Sequence, residues 1–314
     1  MNVKALNPFL IHWLRRYNEV KEDCRRAGTG DPTPQSVRTE LADLFKVHVT
    51  TRPHINTVYD DYLPMPAYAA PVRIYHPRPG KPLPVLVYFH GGGMVAGGIG
   101  EYEPVCRKLA LATDHIVVCP EYRLAPEAPY PAAMVDALGA MRSLPELLQT
   151  LGVKHQPVFS VAGDSCGAML STAVAARSRR ECNVPVFRNL LITPCVDYTL
   201  SAPSVEQYGK GFMVEKELLS WCFDQYLPEG EERSALSPLF WEYDSSLPET
   251  MVITAEFSPM RDEGILFVDK LIEADVHVRH LHFEDMIQGF PMLENLVPGA
   301  CRKLYEASAM FLQS

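Results

Sequence analysis

The chain has 314 residues, 47% hydrophobic and 21% charged, a balance that supports a large buried core and excludes disordered and fibrous classes. Its formal net charge of −9 has the wrong sign for holding a phosphate backbone by counterion release, so no nucleic-acid partner is expected. The 8 cysteines stand singly, none at the two-residue gap of zinc or redox motifs; they read as reduced structural thiols, with no metal site.

At the start of the chain Leu6, Leu10, Trp13, Leu14 and Tyr17 recur at helical spacing, and residues 1–60 stand apart as an N-terminal lid element ahead of a core over 61–314. Asn7, Pro8 and His12 interrupt the opening apolar stretch and no small-residue cleavage site follows. It therefore fails as a secretory signal, and a cytoplasmic location is the expectation. From about residue 70 short apolar runs alternate with longer helical patterns. Strands are predicted at 72–76, 85–89, 116–119, 158–162, 189–193, 251–255 and 276–283, and helices at 102–113, 131–151, 167–181, 263–274 and 298–312. Near-continuously apolar strands alternating with helices define an α/β fold with a mainly parallel twisted sheet covered on both faces. The uncharged stretch 83–100 contains Pro84, His90 and several glycines and cannot form a transmembrane helix. Arg177, Arg179 and Arg180 follow an apolar run and read as the cationic last turn of a helix. Residues 201–248, with Trp221, Phe223, Tyr226 and Trp241, form an excursion between two strands too long for a plain connection; it is assigned to the lid.

Gly163-Asp164-Ser165-Cys166-Gly167 lies between a predicted strand and a predicted helix. A nucleophile must stand clear of the sheet while backbone N–H groups face the reacting carbonyl, and a sharp strand-to-helix turn achieves this only where glycine neighbours remove a clashing Cβ. Ser165 then sits at a helix N-terminus, where the dipole favours developing negative charge. His90-Gly91-Gly92-Gly93 ends the strand at 85–89, and its unhindered N–H groups suit an oxyanion. His90 begins this loop and reads as an orienting hydrogen-bonder. Asp164 reads as a brace for the same loop.

These two motifs, with Tyr122-Arg123-Leu124-Ala125-Pro126-Glu127 and Pro259-Met260-Arg261-Asp262-Glu263-Gly264, resemble the hormone-sensitive-lipase-like (bacterial group IV esterase/lipase) branch of the α/β-hydrolases over roughly residues 60–314. The resemblance implies carboxylic ester hydrolysis without metal or organic cofactor, oxyanion donors at the N–H groups of Gly92, Gly93 and Cys166, and a homodimer through the last strand and helix of the sheet edge. It also exposes two departures. The family's acid position is Ser258 and its base position is Gln288, in segments that otherwise stay in register. A glutamine amide has no basic lone pair near neutral pH, so it can orient but not deprotonate Ser165. With no imidazole to hold, the acid has no task.

Stand-in bases are His280 and His282, two apart on one strand face, and the carboxylates Glu284 and Asp285. Cys166 is expected to offer its N–H, not its thiol. Asp262 and Glu263 read as charges on the first turn of the helix at 263–274. Three readings follow: an esterase-family protein with feeble or no hydrolysis, a working carboxylesterase with a substitute base, and a binding protein for a small ester or apolar carboxylate, as in the plant gibberellin receptors.

Overall fold

The computed structural model describes residues 5–65 and 68–314. In chain order the elements are α1 (Pro8–Arg26), α2 (Pro34–His48), β1 (Thr57–Pro64), β2 (Ala69–His76), β3 (Leu83–Phe89), α3 (Ile99–Thr113), β4 (Ile116–Pro120), α4 (Ala132–Thr150), β5 (His155–Asp164), α5 (Cys166–Cys182), β6 (Val186–Ile192), α6 (Pro203–Tyr208), α7 (Lys216–Tyr226), α8 (Arg233–Leu236), β7 (Glu249–Phe257), α9 (Arg261–Glu273), β8 (Val278–Ile287) and α10 (Pro298–Gln313). The eight strands form one sheet in the order β1-β2-β4-β3-β5-β6-β7-β8. From β4 to β8 all neighbours are parallel, while β2 is antiparallel to both β1 and β4.

Strand side chains alternate between two cores. Val85, Val87 and Phe89 pack with α4, α5 and α9; Leu86 and Tyr88 pack with α3, α10 and the buried stripe of α1 and α2 (Leu10, Leu14, Leu41, Phe45). The sheet is therefore covered on both faces, which is why its strands carry almost no polar residue at these positions.

Helix α2 and the short helices α6, α7 and α8 lie in the two segments the sequence marked only as lid, and two strands also differ from the sequence expectation. β1 begins at Thr57 and pairs with β2 along its whole length; its polar, half-exposed Tyr59-Asp60-Asp61-Tyr62 gives no apolar run to detect. β8 runs on to Ile287 instead of stopping near Phe283, because its pairing with β7 continues past an irregularity between Ala255 and Phe257 and places Phe257 opposite Ile287.

Candidate active site

Sheet register assembles the site at the carboxyl ends of the central strands. Phe89 pairs with Gly163, Asp164 with Ile192, Ile192 with Ile253, and Phe257 with Ile287. The residues just beyond these pairs are His90, Ser165, Thr193, Ser258 and Gln288, so segments scattered along the chain meet at one rim, where α/β sheets bind ligands.

Ser165 joins β5 to α5 with φ 49° and ψ −124°, a left-handed conformation that costs a non-glycine residue on the order of 1–3 kcal/mol. The turn is held by Ser165 N–H donating to Ile192 O (3.0 Å) and Cys195 N–H donating to Ser165 O (3.1 Å). A Cβ on Gly167 would overlap the backbone oxygens of Phe89 and His90, so glycine is what lets α5 approach the end of β3. Gly92 has φ +115° and its missing Cβ faces the carbonyl of Ala96.

Asp164 accepts from Tyr88 Oη (2.8 Å), Tyr102 Oη (2.9 Å) and Gly91 N–H (2.8 Å). Burial nevertheless outweighs these donors and pushes its carboxyl up to about 6. His90 Nδ1 lies 2.8 Å from the Gly91 carbonyl; a carbonyl only accepts, so this nitrogen carries the proton. Burial holds the ring neutral, lowering it to about 4. Tyr122 stacks on His90 with centroids 4.3 Å apart and donates to its carbonyl (2.6 Å). Tyr88, Tyr102 and Thr193 carry no local motif and were not anticipated; sheet pairing places Tyr88 and Thr193 here, and the packing of α3 on the sheet places Tyr102.

Ser258 and Gln288, which the family resemblance puts at the acid and base positions, contact each other. Ser258 Oγ donates to Gln288 Oε1 at 2.7 Å, Ser258 Oγ accepts from Met260 N–H at 3.0 Å, and Gln288 Nε2 donates to Thr193 O at 2.9 Å. Because the Thr193 carbonyl can only accept, the amide orientation is fixed and the Gln288 oxygen faces Ser258. Both residues are buried. Among the described residues no group hydrogen-bonds Ser165 Oγ.

The stand-in groups lie elsewhere. His280 Nε2 and His282 Nδ1 each sit 2.8 Å from Thr254 Oγ1, and His282 Nε2 is 3.0 Å from Glu256 Oε2; neither histidine lines the cavity at Ser165. Asp285 accepts from Asn7 Nδ2 (3.1 Å), and it and Glu284 face a separate groove. The Cys166 thiol is buried against Cys195. Asp262 does charge the first turn of α9 and accepts from Ser204 N–H (2.9 Å). Glu263, read as a helix-end charge, is instead fully buried and accepts from Val196 N–H (2.7 Å), its proton held well above the usual carboxyl range by burial. It braces the loop that supplies Thr193.

A cavity of about 100 Å³ opens over Ser165, Gln288, Gly92 and Gly93, several times the space one water needs. Its roof comes from both segments outside the regular alternation: Tyr17 of α1, Val37, Leu41 and Leu44 of α2, and Leu218, Leu219 and Cys222 of α7. Phe223 and Tyr226 of the same insertion turn inward instead and pack on Tyr198.

A serine on a strained strand-to-helix turn, facing a glycine-rich loop at the rim of a mostly parallel sheet, defines an α/β-hydrolase. The family described as having the alpha/beta hydrolase fold matches residues 86–292, and the chain belongs to it, as a hormone-sensitive-lipase-like member. It is 34% identical over 219 residues to an ethyl acetate hydrolase of Pseudomonas putida, covering 68% of each chain. It is 28% identical over 263 residues to a gibberellin receptor of Arabidopsis thaliana, covering 80% of this chain and 76% of that one. Among solved structures, an ester-hydrolase from the metagenome of Lake Arreo superposes with a TM-score of 0.87 at 27% identity, covering 98% of both chains. Among the described residues no helix is long and apolar enough to cross a membrane.

Proposed function

We propose that this esterase-family protein receives a small ester in the lidded cavity, holds the ester carbonyl against the N–H groups of Gly92, Gly93 and Cys166, and hydrolyses it feebly or not at all. The observation that carries this reading is the Ser258–Gln288 hydrogen bond of 2.7 Å. It satisfies the amide oxygen within the former acid–base pair and leaves Ser165 without a proton acceptor. In a serine protease studied as a model, loss of nucleophile or base costs about a millionfold in turnover, and about 10³ to 10⁴ over water survives from the oxyanion hole and binding. The engagement of His280 and His282 with Thr254 speaks against a substitute base. The likeness to a gibberellin receptor supports a second use of the same pocket, small-molecule binding without turnover. The outer edge of β8 supports a homodimer through that strand.

Hydrolysis of p-nitrophenyl acetate and butyrate tests the reading. The parent rate is expected to match that of Ser165→Ala, and Ser258→Asp combined with Gln288→His is expected to gain at least about a thousandfold. A parent rate thousands of times above Ser165→Ala would mean that a working base exists.

A further inference from the structure

The cavity over Ser165 has two polar ends of opposite character. At the sheet end the groups that can reach a ligand are donors: the N–H groups of Gly92 and Gly93 and the hydroxyl of Ser165. At the lid end stands Glu40 of α2, whose carboxylate accepts from Tyr17 Oη and from Lys21 Nζ, the latter at 2.6 Å. Each carboxylate oxygen accepts more than one hydrogen bond, and the Glu40 side chain keeps 30% of its surface accessible. Lys21 itself lies outside this cavity, in an outer groove that shares Val37, Glu40, Met213 and Leu218 with it. Glu40 therefore stands at the partition between the chamber over Ser165 and the lid surface. Among the described residues the chamber lining contains no Lys, Arg or His. Its other carboxyl, Asp164, already holds three donors.

We propose that Glu40, positioned by Tyr17 and Lys21, is an acceptor subsite that selects ligands ending in a hydroxyl or an amine at the end remote from Ser165, and rejects a carboxylate there. The proposal rests on the cavity being the ligand pocket but not on whether the ester is turned over. A methyl-ended chain reaching this subsite strips water from Glu40 and returns no hydrogen bond, a donor-ended one replaces the lost water, and a carboxylate-ended one meets an acceptor whose charge Lys21 offsets only from the outer groove, with no cation on the chamber side.

Binding is measured by calorimetry in a Ser165→Ala background, which removes turnover, with four ethyl esters of matched length: ethyl hexanoate, ethyl 6-hydroxyhexanoate, ethyl 6-aminohexanoate and monoethyl adipate. The hydroxyl- and ammonium-ended esters are expected to bind about tenfold tighter than ethyl hexanoate, equivalent to about 1.4 kcal/mol, with monoethyl adipate weakest. Glu40→Gln, of nearly the same shape, should remove the ammonium advantage and keep the hydroxyl one, and Glu40→Leu should put ethyl hexanoate first. An unchanged order in Glu40→Gln and Glu40→Leu, or ethyl hexanoate as the tightest ligand of the Ser165→Ala protein, overturns the subsite. Binding of none of the four overturns the pocket itself and the subsite with it, an outcome distinct from binding without preference.

Discussion

Asp164 and His90 are buried in one hydrogen-bonded cluster, and burial displaces their ionisation in opposite senses. Asp164 rises from 3.8 to about 6, so between these values the folded state holds a proton that the unfolded chain releases, and its contribution to stability falls as pH rises through the window. His90 drops from 6.5 to about 4; there the unfolded chain binds the proton first, and stability falls as pH is lowered. The two slopes overlap and oppose each other. Each spans roughly two pH units, on the order of 3 kcal/mol, so in the parent they largely cancel. Urea unfolding at pH 4.5, 5.5 and 7 should separate them: Asp164→Asn is expected to lose stability on acidification relative to the parent, and His90→Asn to gain it. Parallel pH curves for all three proteins would show that neither group's ionisation is coupled to folding. Ser165 was legible as a candidate nucleophile from its strand-to-helix motif, and Ser258 and Gln288 as altered acid and base positions from the family resemblance. Tyr102 and Thr193 were not, because Tyr102 meets Asp164 only once α3 packs on the sheet, and Thr193 meets Gln288 only once the strand ends lie side by side.

At the scale of elements, α2 is fastened to the oxyanion side of the core through one guanidinium. Arg38 Nε donates to Val95 O (2.9 Å), Nη2 to Ala125 O (3.1 Å), and the fork pairs with both Glu127 oxygens at 2.8 and 2.6 Å. The carboxylate is mostly in water, with 63% of its side chain exposed, and surface ion pairs contribute about 0–1 kcal/mol. The two carbonyls matter more, since each loses its donor when Arg38 is removed, at about 1–3 kcal/mol where water cannot replace it. Arg38→Ala is therefore expected to destabilise more than Glu127→Ala. It should also speed amide hydrogen exchange in α2 and in residues 92–96 while leaving α4 and α5 unchanged. Equal exchange in the two variants would assign the fastening to the ion pair or to neither. The helices that flank the sheet (α3, α4, α5, α9 and α10) and the central strands were legible because both faces of the sheet are covered and the apolar period is unbroken, whereas α2 and the short helices of the insertion (α6, α7 and α8) were not read as helices. β1 was not, since an edge strand with charges at Asp60 and Asp61 resembles a loop, and the last part of β8 was hidden by Glu284 and Asp285, which fall in the irregularity between the Ala255–Phe283 and Phe257–Ile287 pairs.

For the molecule as a whole, Ser258 and Gln288, proposed to stand at the acid and base positions, bear on global stability as much as on the proposed turnover. Ser258 and Gln288 form a neutral, fully hydrogen-bonded pair in a buried position, whereas an aspartate and a histidine there must be desolvated as charged or partly charged groups. Breaking a buried charge pair by leaving one partner alone costs about 3–5 kcal/mol, while an intact pair recovers much of that through mutual attraction. Four proteins form the cycle: the parent, Ser258→Asp, Gln288→His and the double variant. At pH 7 the parent is expected to be the most stable and Ser258→Asp the least, because its carboxylate would face the Gln288 oxygen with the Met260 N–H as its remaining donor. The double variant should lie between them, with a coupling of about 1–3 kcal/mol between the two sites. The same double variant is the one expected to gain esterase activity, so relative to the parent it should exchange stability for rate, while Ser258→Asp alone loses stability without gaining rate. Chemical denaturation of all four, read beside their p-nitrophenyl butyrate rates, checks this. Additive stability changes together with a recovered rate would mean that the restored residues reach Ser165 without contacting each other, and the side-by-side geometry that register imposes on Phe257 and Ile287 would then not extend to the residues beyond them.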